Sequence, residues 1–359
     1  MTRFVLPLAS AAGAAEVGGK GASLGELARA GVPVPPGFVV TVDGFAAALE
    51  AVDPDGALRA SLSALPATDL RAIAGAAAAF RSRITAAPLP SPVALAIESG
   101  YAALGLTPDV AVRSSATMED SAAASFAGLQ DTYLGVAGAA AVLDHVRLCW
   151  ASLYNNESVS YRRRLGLAED SLAMAVVVQL MVRPRAAGVM FTRSPVSGDR
   201  SVVAIEGTWG LGSALVSGDV TPDSFIISKI TGEITGRRVG TKDRIHSFLP
   251  NGGGVSVEHT PAALVSEPCL TDDEIRSLAE TARRVEAHYG APQDIEWALV
   301  DGMAPDEDTA PDEDTAPEGR IVLLQSRPET VWAARTAPPV AAPKPRAADH
   351  VLSLFGKPL

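Results

Sequence analysis

The chain has 359 residues, a formal net charge of −11, and 47% hydrophobic against 20% charged residues, the make-up of a soluble globular protein of one large or two modest domains. Its longest apolar run, "LAMAVVVQLMV", falls short of the roughly 20 residues a bilayer requires and contains Gln179, so it reads as a buried strand. Two isolated cysteines, Cys149 and Cys269, argue against a disulfide frame or thiolate metal site and point to a reducing, cytoplasmic setting.

The acidity is local. Residues 304–319 hold seven acids and no base, and removing these seven from −11 leaves −4. That balance argues against nucleic acid as a partner. The tract carries the hexapeptide APDEDT twice in tandem; rich in Pro and Ala, it cannot bury a core, and 303–319 is expected to be a disordered, solvated loop.

In chain order, "MTRFVLPLASAAGAA" has the Arg, apolar patch and small residues of a signal peptide, but Pro7 interrupts the patch and a first strand is the better reading. A Gly-rich turn follows, then a helix over about 22–30, capped by Gly31. "VPVPPGFVVT" returns extended. Leu70, Ile73, Ala74, Ala77 and Phe80 recur at helical spacing over 67–84, and "VALAIESGYAAL" continues as helix. "DVAVRSS" is a strand entering a polar loop, and one long helix is expected over about 139–164. From 173 onward strands dominate, with a hairpin "FIISKITGEITGRRV", a helix near 271–288, and two closing strands, "DIEWALV" and "RIVLLQS". Mixed elements without strict βαβ alternation indicate an α+β fold. Residues 333–359 begin with a Pro/Ala-rich stretch and read as a linker-like tail.

Three stretches could carry chemistry. "VGGKGASLGEL" is not a P-loop, because the spacing around Lys20 is wrong, and "GTWGLGSAL" does not complete a dinucleotide fingerprint. Even so, Gly18, Gly19 and Gly21 let backbone approach an anion at a helix start, and Lys20, one of only five lysines, would add charge there. Taken alone, such a turn is more often structural. In "VRSSATMEDSAAASFAGLQDTYLGV", Arg113 ends a strand, where a guanidinium can grip two phosphate oxygens. The plainer alternative is a surface arginine paired with Glu119 or Asp120. The small-residue loop behind it suggests a cover over a ligand.

In the closing strands, alternation puts Ile295, Trp297 and Leu299 on one face and Asp294, Glu296 and Ala298 on the other. If these strands form an antiparallel hairpin with the acidic tract as its loop, Glu296 and Gln325 sit side by side. A carboxylate and an amide oxygen are ligands that Mg²⁺ accepts when phosphates supply the rest, and Arg327 would lie one step away. A polar pair on a solvated face is the commoner explanation for any single hairpin.

Together, "GGKGASLGELARAGVPVPPGFVVT", "VRSSATMEDSAAASFAGLQDTYLGV", "AGVMFTRSP", "GLGSALVSGDVTPDSF", "DIEWAL" and "LLQSRPET", in this order, closely resemble the nucleotide-binding domain of the pyruvate phosphate dikinase, phosphoenolpyruvate synthase and rifampicin phosphotransferase group. The resemblance spans roughly 4–332. It implies an ATP-grasp-like fold with two lobes enclosing ATP, the first roughly 1–180 and the second roughly 181–332. It further implies that Lys20 and Arg113 contact phosphates, that Glu296 and Gln325 hold Mg²⁺, and that Arg327 reaches the transferred phosphoryl. By the same resemblance Gln179 and Met181 lie on a hinge strand against the adenine. The loop 125–132, with Gly128, Gln130 and Thr132, becomes a flap over the triphosphate.

Three departures stand out. The Glu and Gln strands are joined by the long acidic repeat, and Ser213 stands where relatives commonly carry Glu. Relatives also pass the phosphoryl to a histidine on a swivelling domain, whereas none of His145, His246, His259, His288 and His350 has that motif's context; His288 reads as a surface residue. The leading expectation is therefore an Mg-ATP-dependent phosphotransferase subunit, converting ATP to AMP, whose phosphoryl goes to a histidine on a partner protein. An ADP-forming ATP-grasp kinase or ligase, or a non-catalytic nucleotide-binding protein, are the alternatives.

Overall fold

The computed structural model describes residues 3–66, 68–117, 131–166, 173–249, 253–301 and 320–332, and the backbone of two short strands at 120–121 and 124–125. The expected acidic loop 303–319, the tail 333–359 with His350, and the flap residues Gly128 and Gln130 lie outside the described residues.

The first half runs β1 (Val5–Pro7), α1 (Ala14–Arg29), β2 (Gly37–Val40), α2 (Val42–Val52), α3 (Ala57–Ala64), α4 (Leu70–Ala86), α5 (Ser91–Ala102), β3 (Val110–Ala116), β4 (Asp120–Ser121), β5 (Ala124–Ser125), β6 (Thr132–Val136), α6 (Ala139–Ser152), α7 (Asn156–Arg164) and β7 (Met174–Leu180). Five of its strands form an antiparallel sheet in the order β1-β2-β7-β3-β6. The apolar run read as a buried strand is β7, at the sheet's centre. Val176 and Val178 face the helices α2 and α4–α7, while Ala175 and Val177 face α1, so the sheet is covered on both sides and every apolar residue finds a partner.

The second half runs β8 (Ala186–Phe191), β9 (Val202–Trp209), α8 (Ser213–Val216), β10 (Asp223–Ser228), β11 (Ile234–Arg238), β12 (Arg244–Phe248), β13 (Val255–His259), α9 (Ala262–Val265), α10 (Asp272–Tyr289), β14 (Gln293–Val300) and β15 (Arg320–Pro328). A six-stranded antiparallel sheet has the order β11-β10-β9-β8-β14-β15, and β12 pairs with β13 apart from it. Ile275, Leu278, Ala279, Ala282 and Val285 of α10 pack on this sheet around the buried Trp297. Thr271 and Glu274 close a capping box at its start, and Gly290, at φ 66°, ends it.

Two sequence expectations change. A helical turn already begins at Ala14, but Gly18, at φ 69° and ψ 172°, is non-helical and kinks the chain, so the expected glycine turn stands and the helix after it starts a few residues earlier than 22. The helix expected over 139–164 is two helices. Tyr154 turns in to pack on Phe80, 4.3 Å between ring centroids, and Arg162 donates to the Leu153 carbonyl that the break releases. The two helical stretches expected over 67–84 and from Val93 are α4 and α5, with Pro88 and Pro90 between them.

The two sheets are joined by more than one chain crossing. α1 lends Leu24 to the first sheet's core and Leu27 to the second's. The proline-rich segment that follows has few donors but good acceptors. Pro33 accepts from the Leu323 amide at 2.8 Å and Pro36 from the Leu180 amide at 2.8 Å, so the segment stitches one sheet to the other. Ser23 Oγ adds a 2.6 Å bond to the Ser326 carbonyl.

Candidate nucleotide site

A cavity of about 400 Å³ opens between the sheets, within the range of ligand pockets. Its wall is mostly apolar, with Leu180, Met181, Val182, Leu211 and Val216, and its polar groups include Arg113, Glu296 and Ser213.

The polar end is built by register. β14 and β15 are antiparallel, with Glu296 directly opposite Gln325 and Asp294 opposite Arg327. The pairing shifts between Glu296 and Trp297, which leaves Leu324 as an extra residue. Its carbonyl, freed from the ladder, accepts from Arg113 Nη1 at 2.6 Å. Arg113 Nη2 then donates to Gln325 Oε1 at 2.8 Å and Glu296 Oε2 at 3.1 Å. So the surface-arginine alternative does not hold: Arg113 is buried, 8% exposed, and crosses from the first sheet to the second. One guanidinium nitrogen reaches both oxygens, and Glu296 and Gln325 therefore converge within the span of a single cation. The donor set, one carboxylate and one amide oxygen, suits Mg²⁺ completed by phosphate oxygens. Among the described residues no cluster of three or more His, Cys, Asp or Glu offers a cage of its own.

Arg327 lies on the same hairpin face, 40% exposed, with Nε 3.5 Å from Asp294 Oδ2. Burial pushes the Asp294 carboxyl up to about 6; Arg327 opposes that shift and Glu329 adds to it. Asp294 Oδ1 is buried without a hydrogen-bond partner.

The remaining expected residues are spread around this end. Gln179 lines the cavity, 2% exposed, with its amide held 3.1 Å from the Pro35 carbonyl, and Met181 lines it beside a backbone bond to the Asp109 carbonyl. Thr132 is opposite Arg113 on β6 and also reaches the cavity. Lys20 is buried on α1, with 8% exposure, and is not in the cavity wall. At Cys149, burial and Asp131 raise the thiol's pKa and the Lys20 charge pulls against them. The glycines flanking Lys20 serve close packing. A side chain at Gly18 would meet the Ser115 carbonyl at 1.9 Å, and the Gly21 amide donates to Ser115 Oγ at 3.0 Å. Sequence reading missed Ser115, the Leu324 carbonyl and Ser326. The two serines had a signal: a Ser inside an otherwise apolar buried strand must find a partner.

An α+β fold with two antiparallel sheets, an apolar cavity between them and a cationic, oxygen-rich end defines a nucleotide-binding domain of ATP-grasp type. The chain belongs to the family described as pyruvate phosphate dikinase, AMP/ATP-binding domain, whose profile matches residues 14–348 and so runs past 332 into the tail. It is 46% identical over 293 residues to a rifampicin phosphotransferase of Streptomyces sp, covering 81% of this chain and 33% of that protein. To a probable phosphoenolpyruvate synthase of Methanothermobacter thermautotrophicus it is 40% identical over 324 residues, covering 89% and 44%. To a phosphoenolpyruvate synthase of Aeropyrum pernix it is 38% identical over 356 residues, covering 91% and 42%. The chain thus spans less than half the length of these relatives. No helix among the described residues is long and apolar enough to cross a membrane.

Proposed function

We propose that this chain is the ATP-binding part of a phosphotransferase: it binds Mg-ATP between its two sheets and donates a phosphoryl group to a histidine on a further domain or partner protein, leaving AMP. The observation that carries this reading is the convergence of Arg113, Glu296 and Gln325 at one end of an apolar cavity. Phosphoryl transfer needs alignment and charge neutralisation more than a covalent protein group. Glu296 and Gln325 would hold Mg²⁺, which when bound neutralises phosphate charge. Arg113 would turn its fork to phosphate oxygens, a match to its planar geometry. Arg327, 40% exposed, would meet the group in transfer, and Lys20 would add charge from α1. Gln179, Met181 and the apolar wall would take the base, with 125–132 covering the phosphates.

A histidine elsewhere fits the described ones here. His145 Nδ1 is 2.7 Å from the Ala141 carbonyl, His288 Nε2 is 3.0 Å from Glu26 Oε1, and none of His145, His246, His259 and His288 lines the cavity. Two free, buried thiols support a reducing cytoplasm. The two sheets support lobes dividing near residue 180.

The test is the nucleotide product formed from Mg-ATP with and without a histidine-bearing domain of such a phosphotransferase. AMP formed only in its presence is the expected result, and Glu296→Ala should abolish it while leaving the fold intact. ADP formed by this chain alone, with a small acceptor, would overturn the assignment.

A further inference from the structure

One polar wall of the cavity is not accounted for by phosphate chemistry. Ser213, on α8, lines the cavity, and its Oγ is 2.9 Å from His246 Nδ1. His246 Nε2 in turn is 3.3 Å from Asp219 Oδ2, and that oxygen accepts from Ser217 Oγ at 2.6 Å. His246 is 6% exposed, and its place is fixed by backbone. The Leu211 amide donates to its carbonyl at 2.9 Å, and Gly210, at φ 69°, leaves room for that approach, since a side chain there would meet the His246 carbonyl at 2.5 Å. The Nε2–Asp219 contact is close but poorly aligned, and Nε2 has no hydrogen bond. The group facing Nε2 is a carboxylate oxygen, which can only accept, so in the neutral ring the tautomer with its proton on Nε2 is the one that suits this contact.

The consequence is directional. With the proton on Nε2, Nδ1 is an acceptor and Ser213 Oγ–H donates to it. The lone pairs of Ser213 are then left for the cavity, and the wall offers an acceptor at that point. Position says what it would accept from. A side chain at Gly212 would lie 3.9 Å from the Gly188 amide, and Gly188's neighbour Val189 pairs with Glu296 across β8 and β14. Ser213 thus lies within the apolar stretch of Leu211 and Val216, on the segment that approaches β8 next to Glu296's partner Val189. A nucleotide with phosphates at the Arg113–Glu296 end and base on the apolar wall has its sugar there.

We infer that Asp219, His246 and Ser213 form a relay that makes Ser213 a specificity-determining acceptor for a sugar hydroxyl of the bound nucleotide, with His246 as its positioning residue. The inference rests on the nucleotide-binding reading above. It also gives a use to Ser213, whose hydroxyl, bonded to a histidine, is a neutral acceptor at the cavity wall.

The experiment is equilibrium binding of ATP, 2′-deoxy-ATP, 3′-deoxy-ATP and inosine triphosphate to the full chain in Mg²⁺, for wild type, Ser213→Ala, His246→Ala and His246→Asn. Wild type should prefer ATP over at least one deoxy analogue by about five- to ten-fold, the worth of one neutral hydrogen bond. Ser213→Ala and His246→Ala should lose that preference through weaker ATP binding, with affinity for the deoxy analogue unchanged. His246→Asn keeps an oxygen where Nδ1 was and should restore the preference, which a merely structural histidine would not do. Equal weakening of all four nucleotides by His246→Ala would mean a structural histidine and overturn the inference. So would an unchanged preference in Ser213→Ala, or a loss confined to ATP against inosine triphosphate, which would move the contact to the base. Wild type failing to bind ATP at all would overturn the nucleotide reading together with this one.

Discussion

Arg113 serves two interests that compete for the same five N–H donors. It holds the bulged Leu324 carbonyl and the Glu296–Gln325 pair together across the sheets, and it is the strongest cation at the cavity's polar end. Lysine would keep the charge but not the fork, and a point charge cannot span the Leu324 carbonyl and two side-chain oxygens. Arg113→Lys should lower stability by about 1–2 kcal/mol, the worth of charge-assisted bonds partly lost, and weaken ATP binding at least ten-fold. Chemical denaturation and nucleotide titration measure both, and a variant matching wild type in both would refute the bridging role. Much at this scale was legible. Alternation alone placed Glu296 beside Gln325 and Trp297 inward, because a hairpin has few registers that bury a Trp. The β-bulge at Leu324 was not legible, since one extra residue leaves no mark on a period-two pattern that long apolar residues satisfy on either face.

At the scale of elements, α3 illustrates a helix held by charge rather than by its own cap. Gly56 at its N-terminus has no side chain to offer; Asp53 instead accepts from the Leu58 amide at 2.9 Å and the Arg59 amide and Nε at 3.2 and 3.1 Å. Burial by itself would raise its pKa, but these donors outweigh burial and hold the carboxyl below the usual aspartate range. A depressed folded pKa means the stabilisation is present above the unfolded value, near 4, and is lost as pH falls through and below it. Asp53→Asn should therefore cost about 1 kcal/mol at pH 7, with the gap closing toward pH 3. A gap independent of pH in urea melts would refute the ionic account. The β14–β15 hairpin gives a second case. Its strands are fixed by the ladder and by Trp297, not by the 302–319 connection, and loop length costs stability only slowly. Deleting 304–317 should leave ATP affinity within about two-fold. Loss of binding on deletion would assign the acidic repeat a direct role. Element types were legible wherever periodicity was long, as in α10 and β7. Boundaries were not: the α6–α7 break depends on Tyr154 finding Phe80, far off in sequence, while Arg162 folds back on the Leu153 carbonyl.

For the whole molecule the question is whether the halves behave as separate bodies or as one. A simple reading of ligand sites between sheets is that the halves are loosely joined and close on the ligand. The links here argue otherwise. α1 buries Leu24 in one core and Leu27, one turn on, in the other, so neither core can be lost without exposing a residue of that helix. Pro33 and Pro36 accept from β15 and β7, and Arg113 crosses at the cavity end. None of these contacts can be kept by half a molecule. Thermal unfolding should accordingly be one transition with equal calorimetric and van't Hoff enthalpies. Because the nucleotide would touch both sheets, ATP at a hundred times its dissociation constant should stabilise that whole transition by about 2.7 kcal/mol. Two resolved transitions, with only one moved by ATP, would mean that α1 and the proline segment are hinges rather than bolts, and the cavity would then belong to one sheet more than the other.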